Sequence, residues 1–328
     1  MKIAVVEDYG NVFRSVADFA KLEGHAVAVH SEAETDTDAL AARIADAEIV
    51  VLTQQRTRFP RKLIEKLPRL RFISQTGRNL GHLDVDACTE RGIVVSAIGG
   101  GYPHATVELT WGLIIAALRH IPYEVQRLRD GHWQSTVGTR LYESTLGIYA
   151  YGRIGKLVAN VGAAFGMRVL CWGREGSTER ARADGWEVAR TREQFFFDSD
   201  VVTLHLPLRD ESTRGIVTAR DLALMKPTAV LVNTSRAGII EEGALVQALR
   251  NGRPGFAGVD VFDNEPVVGA SDPLLALPNA ICTPHLGYVT RETIEHHYCD
   301  AIAQILAYVA GKPINVVNPE AVRPQRGT

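Results

Sequence analysis

An arginine, a glutamate and a histidine sit in three short segments: LVNTSRAG with Arg236, GVDVFDNEP with Asp260 and Glu265, and CTPHLGY with His285. Each segment follows an apolar run that reads as a strand. In an open parallel sheet, ligands bind outside the carboxyl ends of strands, so the three are expected to converge on one crevice. The residue types suit reduction of a carbonyl. A guanidinium can grip a carboxylate through two parallel hydrogen bonds. An imidazole can protonate a nascent alkoxide, and a carboxylate on its other nitrogen favours the imidazolium. Singly, Arg236 reads as a surface cation, Glu265 as a turn residue before Pro266, and His285 as a satisfied core histidine. The combination makes the case for chemistry.

Hydride would come from a dinucleotide, and TLGIYAYGRIGKLVANVGAAFGMRVLCWGRE has the pattern to hold one. A strand over 146–149 meets the turn Ala150-Tyr151-Gly152-Arg153-Ile154-Gly155. A helix follows with Ile154, Leu157, Val158, Val161 and Phe165 on one face, then a strand over 168–172. Gly152 would let backbone approach a pyrophosphate, Gly155 would let helix pack on strand, and the helix N-terminus attracts phosphate. Ala150 stands where the pattern has its first glycine, a change tolerated if the turn does not demand positive φ. The second strand ends Trp172-Gly173-Arg174, with no carboxylate to bond ribose hydroxyls. A small residue followed by arginine leaves space and charge for a 2′-phosphate, so NADP(H) is favoured and NAD(H) remains possible. Alternatively Arg174 is a surface side chain with loose coenzyme choice, and Glu175 is also within reach of a ribose.

Stepping outwards, short strands at 3–6, 26–29, 49–52, 71–74 and 93–95 alternate with helical spacing such as Val12–Val16–Phe19–Ala20 and Ile64–Leu67. A second alternating series runs from Leu146 to Cys282. Two doubly wound, Rossmann-like α/β domains with parallel sheets are expected, and 328 residues give room for both cores. Between the series lies a helix over 104–119, apolar nearly all round and therefore expected to be buried, between domains or subunits. A polar, turn-rich stretch follows over 129–144. A last helix over 290–310 and an irregular strap close the chain, with no room for a further regulatory domain.

A net charge of −2 gives no footprint for nucleic acid or a membrane. Arg56, Arg58 and Arg61 read as a solvated face rather than an anion site. The four cysteines lack any CxxC pair, which argues for reduced buried thiols and against metal ligation. With neither a signal peptide's apolar core nor a long apolar run, a soluble cytoplasmic protein is expected.

The segments YGRIG (151–155), HLPL (205–208), MKPTAVLVNTSRAG (225–238), GVDVFDNEP (258–266) and TPHLGY (283–288) together resemble the D-isomer-specific 2-hydroxyacid dehydrogenase family over almost the whole chain. The resemblance implies a small 2-oxo or 2-hydroxy acid substrate. Arg236 would bind its carboxylate and carbonyl, His285 would be the acid/base, and Glu265 would support it. The resemblance also implies that Arg153, Ile154, His205, Leu206, Pro207, Thr234, Ser235 and Asp260 line the coenzyme, Asp260 near the nicotinamide amide. Gly152, Gly155, Gly173, Arg174 and Gly287 are further expected contacts, Gly173 standing where the family often has Asp. Family members are homodimers whose flavodoxin-like substrate domain is split between the chain ends, here 1–101 with 290–328, around a dinucleotide domain at 102–289. Where the family carries a V-G-V-G-x-D-like loop, this chain has Thr76-Gly77-Arg78-Asn79-Leu80-Gly81, so Gly77, Arg78 and Asn79 are the expected carboxylate-holding positions. Arg78 adds a charge aimed at substrate, coenzyme or solvent, and Arg56 corresponds to a loop that reaches the distal part of the substrate. The glutamate before the histidine argues against formate-type relatives, which have glutamine. A dinucleotide-sensing binding protein, like the corepressors built on the same fold, is the rival reading.

Overall fold

The computed structural model describes residues 1–99 and 101–322. Contacts divide the chain into two compact units, 1–101 with 290–328 and 102–289.

The first unit holds β1 (Lys2–Val6), β2 (Ala26–Val29), β3 (Ile49–Leu52), β4 (Phe72–Gln75) and β5 (Val94–Ala97), all parallel, in the order β2-β1-β3-β4-β5. That is the flavodoxin-like order. β3 is buried along its whole length, as its unbroken IVVL run demands of a strand covered on both faces. Helices α1 (Thr37–Arg43), α2 (Arg61–Glu65) and α3 (Val85–Glu90) cover one side. The expected helix around 12–20 is instead two 3₁₀ segments, Phe13–Ser15 and Ala17–Leu22, separated at Val16 by extended backbone. The carboxylate of Asp8 accepts the Phe13 amide at 2.8 Å and turns the chain before an α-helix can propagate.

The second unit begins with α4 (Pro103–Leu118) and α5 (Ile121–Arg129). Seven parallel strands follow: β6 (Thr145–Tyr149), β7 (Arg168–Trp172), β8 (Glu187–Val188), β9 (Val201–Leu204), β10 (Val230–Asn233), β11 (Phe256–Val259) and β12 (Ala280–Cys282). Their order is β12-β11-β10-β9-β6-β7-β8. Between them run α6 (Arg153–Ala164), α7 (Glu175–Ala183), α8 (Arg192–Asp198), α9 (Asp210–Thr213), α10 (Ala219–Leu224) and α11 (Ala244–Arg250). α4 packs against α6, β10 and β11, burying Val107, Trp111, Leu113, Ile114 and Leu118.

The expected face of α6 packs on the core through Val158, with Ile154, Leu157 and Val161 partly buried beside it, and small residues extend the buried side. Gly155, Val158, Ala159 and Gly162 are buried, whereas Phe165 at its end is exposed. Small residues let the helix lie close to the sheet: a Cβ on Gly162 would stand 2.4 Å from Leu146 Cδ2.

The chain then returns to the first unit through α12 (Arg291–Val309). Its Tyr298 packs edge-on against Phe13 and lies within 3.3 Å of the Thr53 hydroxyl. Gln304 Oε1 accepts from Ser74, and Tyr308 stacks on Phe72. The strap beyond pairs antiparallel with β5 at Ser96 and Val316, and Asn318 bonds both the Val95 amide and the Ile93 carbonyl. The strap's last six residues lie outside those described.

Cys88 and Cys171 are buried thiols, while Cys282 and Cys299 are only partly covered. Among the described residues, no helix is long and apolar enough to cross a membrane.

Candidate active site

The carboxyl edge of the seven-stranded sheet collects nearly every candidate in the second unit. The glycine-rich turn follows β6, Gly173 and Arg174 follow β7, and His205 to Pro207 follow β9. Thr234 to Arg236 follow β10, Asp260 and Glu265 follow β11, and His285 follows β12. A parallel sheet makes this convergence automatic once all the groups lie just beyond strand ends.

His285 Nδ1 lies 2.7 Å from Glu265 Oε2. The other carboxylate oxygen accepts the Phe262 amide at 2.9 Å, which fixes the rotamer. Burial pushes the Glu265 carboxyl up, but His285's hydrogen bond and charge, the Phe262 amide and Arg236 outweigh it, leaving the group below its ordinary value. Burial works against the Arg236 charge, while Glu265 and Tyr288 favour it. The glutamate is therefore electrostatically linked to both Arg236 and His285. Tyr288, the last residue of TPHLGY and given no role by it, packs edge-on against the His285 ring with centroids 5.5 Å apart.

His285 has φ +54, a left-handed conformation uncommon for a residue with a side chain. Asp260, fully buried, holds it there. One of its oxygens accepts from the Thr283 hydroxyl (2.6 Å) and the Leu286 amide (2.7 Å), and the other from the Gly287 amide (2.8 Å). Burial raises the Asp260 carboxyl, opposed by these bonds and by His285. The residue carried over as a coenzyme contact is thus also the anchor of the histidine loop.

The Arg236 loop is pinned just as firmly. Asn233 donates to the Arg236 carbonyl at 2.9 Å and accepts the Ser235 amide at 3.0 Å, while the Ser235 hydroxyl reaches the Leu204 carbonyl at 2.7 Å. Two threonines on α4 brace both loops. Thr106 donates to the Gly287 carbonyl at 2.8 Å, and Thr110 lies 2.9 Å from the Thr234 hydroxyl. The apolar pattern of α4 predicts a buried helix but gives these two threonines no role. Threonines four apart on its buried side were the available signal.

At the glycine-rich turn, Ala150 has φ +74, so the turn does demand the conformation that its first position usually meets with glycine. Three contacts from the segment after β7 hold it. Tyr151 N donates to Ser177 Oγ (2.7 Å), Arg180 donates to the Tyr151 carbonyl (3.2 Å), and the Tyr151 hydroxyl donates to Asp184 (2.6 Å). A Cβ on Gly155 would stand 2.7 Å from the Ala150 carbonyl, so the helix can lie this close only with glycine. Nothing lies within 4 Å of a Cβ built on Gly152, the helix's N-cap, which leaves its backbone open to a phosphate. These residues fit a dinucleotide. Arg174 is the N-cap of α7 and exposed, with Nη2 3.5 Å from the Ser212 carbonyl. His205 hydrogen-bonds Thr203 through Nε2 at 3.0 Å, and burial lowers it to about 4.

In the first unit, Gly77 is buried and Arg78 and Asn79 are exposed beyond β4. Gln54 supports this loop, donating from its backbone to the Thr76 hydroxyl (2.9 Å) and from its side chain to the Thr76 carbonyl (3.1 Å). Arg56 departs from the solvated face expected of it. Its guanidinium lies over the Tyr9 ring at 4.6 Å and donates to the Glu7 carbonyl at 2.6 Å. Arg58 is exposed, and Arg61 is an exposed partner of Glu90.

Residues 111–287 match the model of the D-isomer specific 2-hydroxyacid dehydrogenase NAD binding domain. The chain is 39% identical over 292 residues to a glyoxylate reductase of Aeropyrum pernix, covering 86% of this chain and 85% of that one. It is 37% identical over 279 residues to a D-3-phosphoglycerate dehydrogenase of Methanocaldococcus jannaschii, covering 84% of this chain but only 52% of that protein. Among solved structures, an oxidoreductase from Ralstonia solanacearum superposes with a TM-score of 0.93 at 47% identity, over 98% of each chain. The fold and these matches define a nicotinamide-coenzyme oxidoreductase. The chain belongs to the D-isomer specific 2-hydroxyacid dehydrogenase family.

Proposed function

We propose that this protein interconverts a small 2-oxo acid and its D-2-hydroxy acid with NADP(H) as the preferred coenzyme. The observation that carries the reading is the 2.7 Å His285–Glu265 pair, placed at the same sheet edge as the glycine-rich turn and the Arg236 loop. The bound coenzyme supplies hydride to the carbonyl carbon. Arg236 clamps the substrate carboxylate and polarises the carbonyl. His285, held through Nδ1, presents Nε2 to the carbonyl oxygen and releases its proton as the C–O double bond becomes an alcohol. Glu265 balances the imidazolium and fixes the ring's orientation. Residues 102–289 act as the dinucleotide domain, and within the first unit Gly77, Arg78 and Asn79 are the substrate-loop positions. Arg174, after a β7 tip that lacks a carboxylate, supports NADP(H).

A homodimer is the assembly we infer. The segment from α5 to β6 exposes Leu128, Trp133, Val137 and Tyr142, the last three at 79%, 93% and 58%. Such a concentration of apolar side chains suits a second copy. Light scattering should give twice the chain mass, and Trp133→Glu with Val137→Glu should give monomers.

The deciding experiment is a panel of glyoxylate, hydroxypyruvate, pyruvate and bulkier 2-oxo acids with NADPH and with NADH. Turnover of at least one, lost in His285→Ala, is expected. Tight coenzyme binding with no turnover of any would move the protein to the rival class of dinucleotide-sensing binding proteins.

A further inference from the structure

The tip of β7 decides how an adenosine ribose is met, and in this chain it is shaped by a residue four positions further on. Gly173 has φ +158, just inside the range that side-chain-bearing residues avoid. A Cβ built on it would stand 3.0 Å from Ser177 Oγ, 3.3 Å from Ser177 Cβ and 3.5 Å from Ala150 Cα. Ser177 is in no position to yield. Its Oγ accepts the Tyr151 amide at 2.7 Å, inside the glycine-rich turn. Moving it would strand that amide and loosen a turn whose Ala150 is already in a left-handed conformation. The same helix is fastened a second and third time, by Arg180 on the Tyr151 carbonyl and by Tyr151 Oη on Asp184, to which Lys156 of α6 also reaches at 2.9 Å.

We propose that Ser177 is a coenzyme-specificity residue: locked by the Tyr151 amide, it crowds a side chain at position 173, where the backbone at φ +158 already disfavours one, and so opposes the carboxylate that would select NAD(H). This rests on the dinucleotide reading of the site and deepens it. Absence of a carboxylate at position 173 is then a property of the turn and α7 together, and no single substitution there restores it. The ribose end is left to backbone, to the guanidinium of Arg174 and to Glu175 beside it, and the guanidinium can meet a 2′-phosphate. The serine hydroxyl proton is not used by the Tyr151 bond, since the amide is the donor there.

Binding without turnover tests this. Dissociation constants for NADPH, NADH, ADP-ribose and 2′-phospho-ADP-ribose would be measured by calorimetry on the full chain and on Gly173→Asp, Ser177→Ala and the double variant. The wild type should bind the 2′-phosphorylated member of each pair at least tenfold more tightly. Gly173→Asp alone should weaken the 2′-phosphorylated ligands tenfold or more with no gain for NADH. Ser177→Ala alone, which strands the Tyr151 amide, should weaken all four ligands alike, and relative to it the double variant should bind NADH at least tenfold more tightly. A gain of that size from Gly173→Asp alone overturns the role of Ser177 and leaves the dinucleotide reading intact. A wild type that binds none of the four ligands overturns both. Should Gly173→Asp not fold, the milder Gly173→Ala gives the answer by melting. Its loss of Tm should shrink in the Ser177→Ala background, and strictly additive losses would overturn the proposal.

Discussion

Thr110 and Thr234, far apart in sequence, share a buried hydroxyl–hydroxyl hydrogen bond of 2.9 Å. Thr110 has a single proton and places it on the Thr106 carbonyl at 2.7 Å, so Thr234 is the donor. One turn earlier, Thr106 fastens the Gly287 carbonyl. α4 therefore sets the separation of the loop carrying Arg236 from the loop carrying His285. Thr110→Val keeps the shape and removes the acceptor. It should cost about 1–3 kcal/mol in urea denaturation and, by shifting Arg236, lower kcat/KM for the oxo acid about tenfold or more. Thr110→Ser should restore both. Wild-type kinetics in Thr110→Val would show that the brace does not reach the chemistry.

Glu265 lies below its ordinary value despite burial that acts upwards, because His285 and Arg236 favour its charge. The 2.7 Å contact places that carboxylate directly on His285 Nδ1. A group held low keeps its charge as pH falls until its own lowered value is reached, so the Glu265 carboxylate is ionised across neutral pH. Glu265→Gln should move the alkaline limb of the reduction profile downwards, with the rate at pH 8 falling about tenfold more than at pH 6. Parallel profiles would separate Glu265 from the proton transfer.

Ala150 at φ +74 carries a left-handed cost of about 1–2 kcal/mol, partly offset because alanine restricts the unfolded chain by roughly 0.4–1 kcal/mol relative to glycine. Ala150→Gly should raise stability by about 0.5–1 kcal/mol, against the usual sign for this exchange. A loss of similar size in urea denaturation would mean that the clamps on Tyr151 leave no strain in the turn.

Three histidines, His82, His205 and His297, are each lowered by burial to about 4 from 6.5. Folded, the rings stay neutral, whereas the unfolded chain takes up protons below about pH 6.5. Their contribution is complete above that pH and is lost as pH falls towards 4, at most on the order of 3 kcal/mol per ring. Urea midpoints should be level from pH 8 to 7 and fall steadily between 6.5 and 4.5. Level midpoints down to 4.5 would show that the folded rings accept protons.

The strands were legible because unbroken apolar runs such as IVVL in β3 and VLVN in β10 have only one place in a sheet covered on both faces. Positions of Arg236, Glu265 and His285 just past such runs followed from the same pattern. What escaped was set by partners distant in sequence. Nothing near Ser177 announces that it abuts Gly173 and holds Tyr151, and nothing in ELTWG announces that Thr110 meets Thr234. On α6 the apolar face was legible, but not that Gly155, Ala159 and Gly162 extend it, because close approach to the sheet selects small residues. The 3₁₀ segments near Phe13 followed from a single aspartate side chain competing with the helix backbone.

The partners of β3, β4 and β5 in α12 and the strap, namely Tyr298, Gln304, Tyr308 and Val316, are encoded after the whole of residues 102–289. At about 5–20 residues per second of synthesis, roughly 10–40 s separate the first five strands from the helix that covers them. During translation the amino-terminal sheet must wait with Phe72 and Ser74 uncovered, while the continuous second unit can close on itself. The order of folding is then the reverse of the order of synthesis, and the nascent amino-terminal segment is the part of this chain most in need of a chaperone.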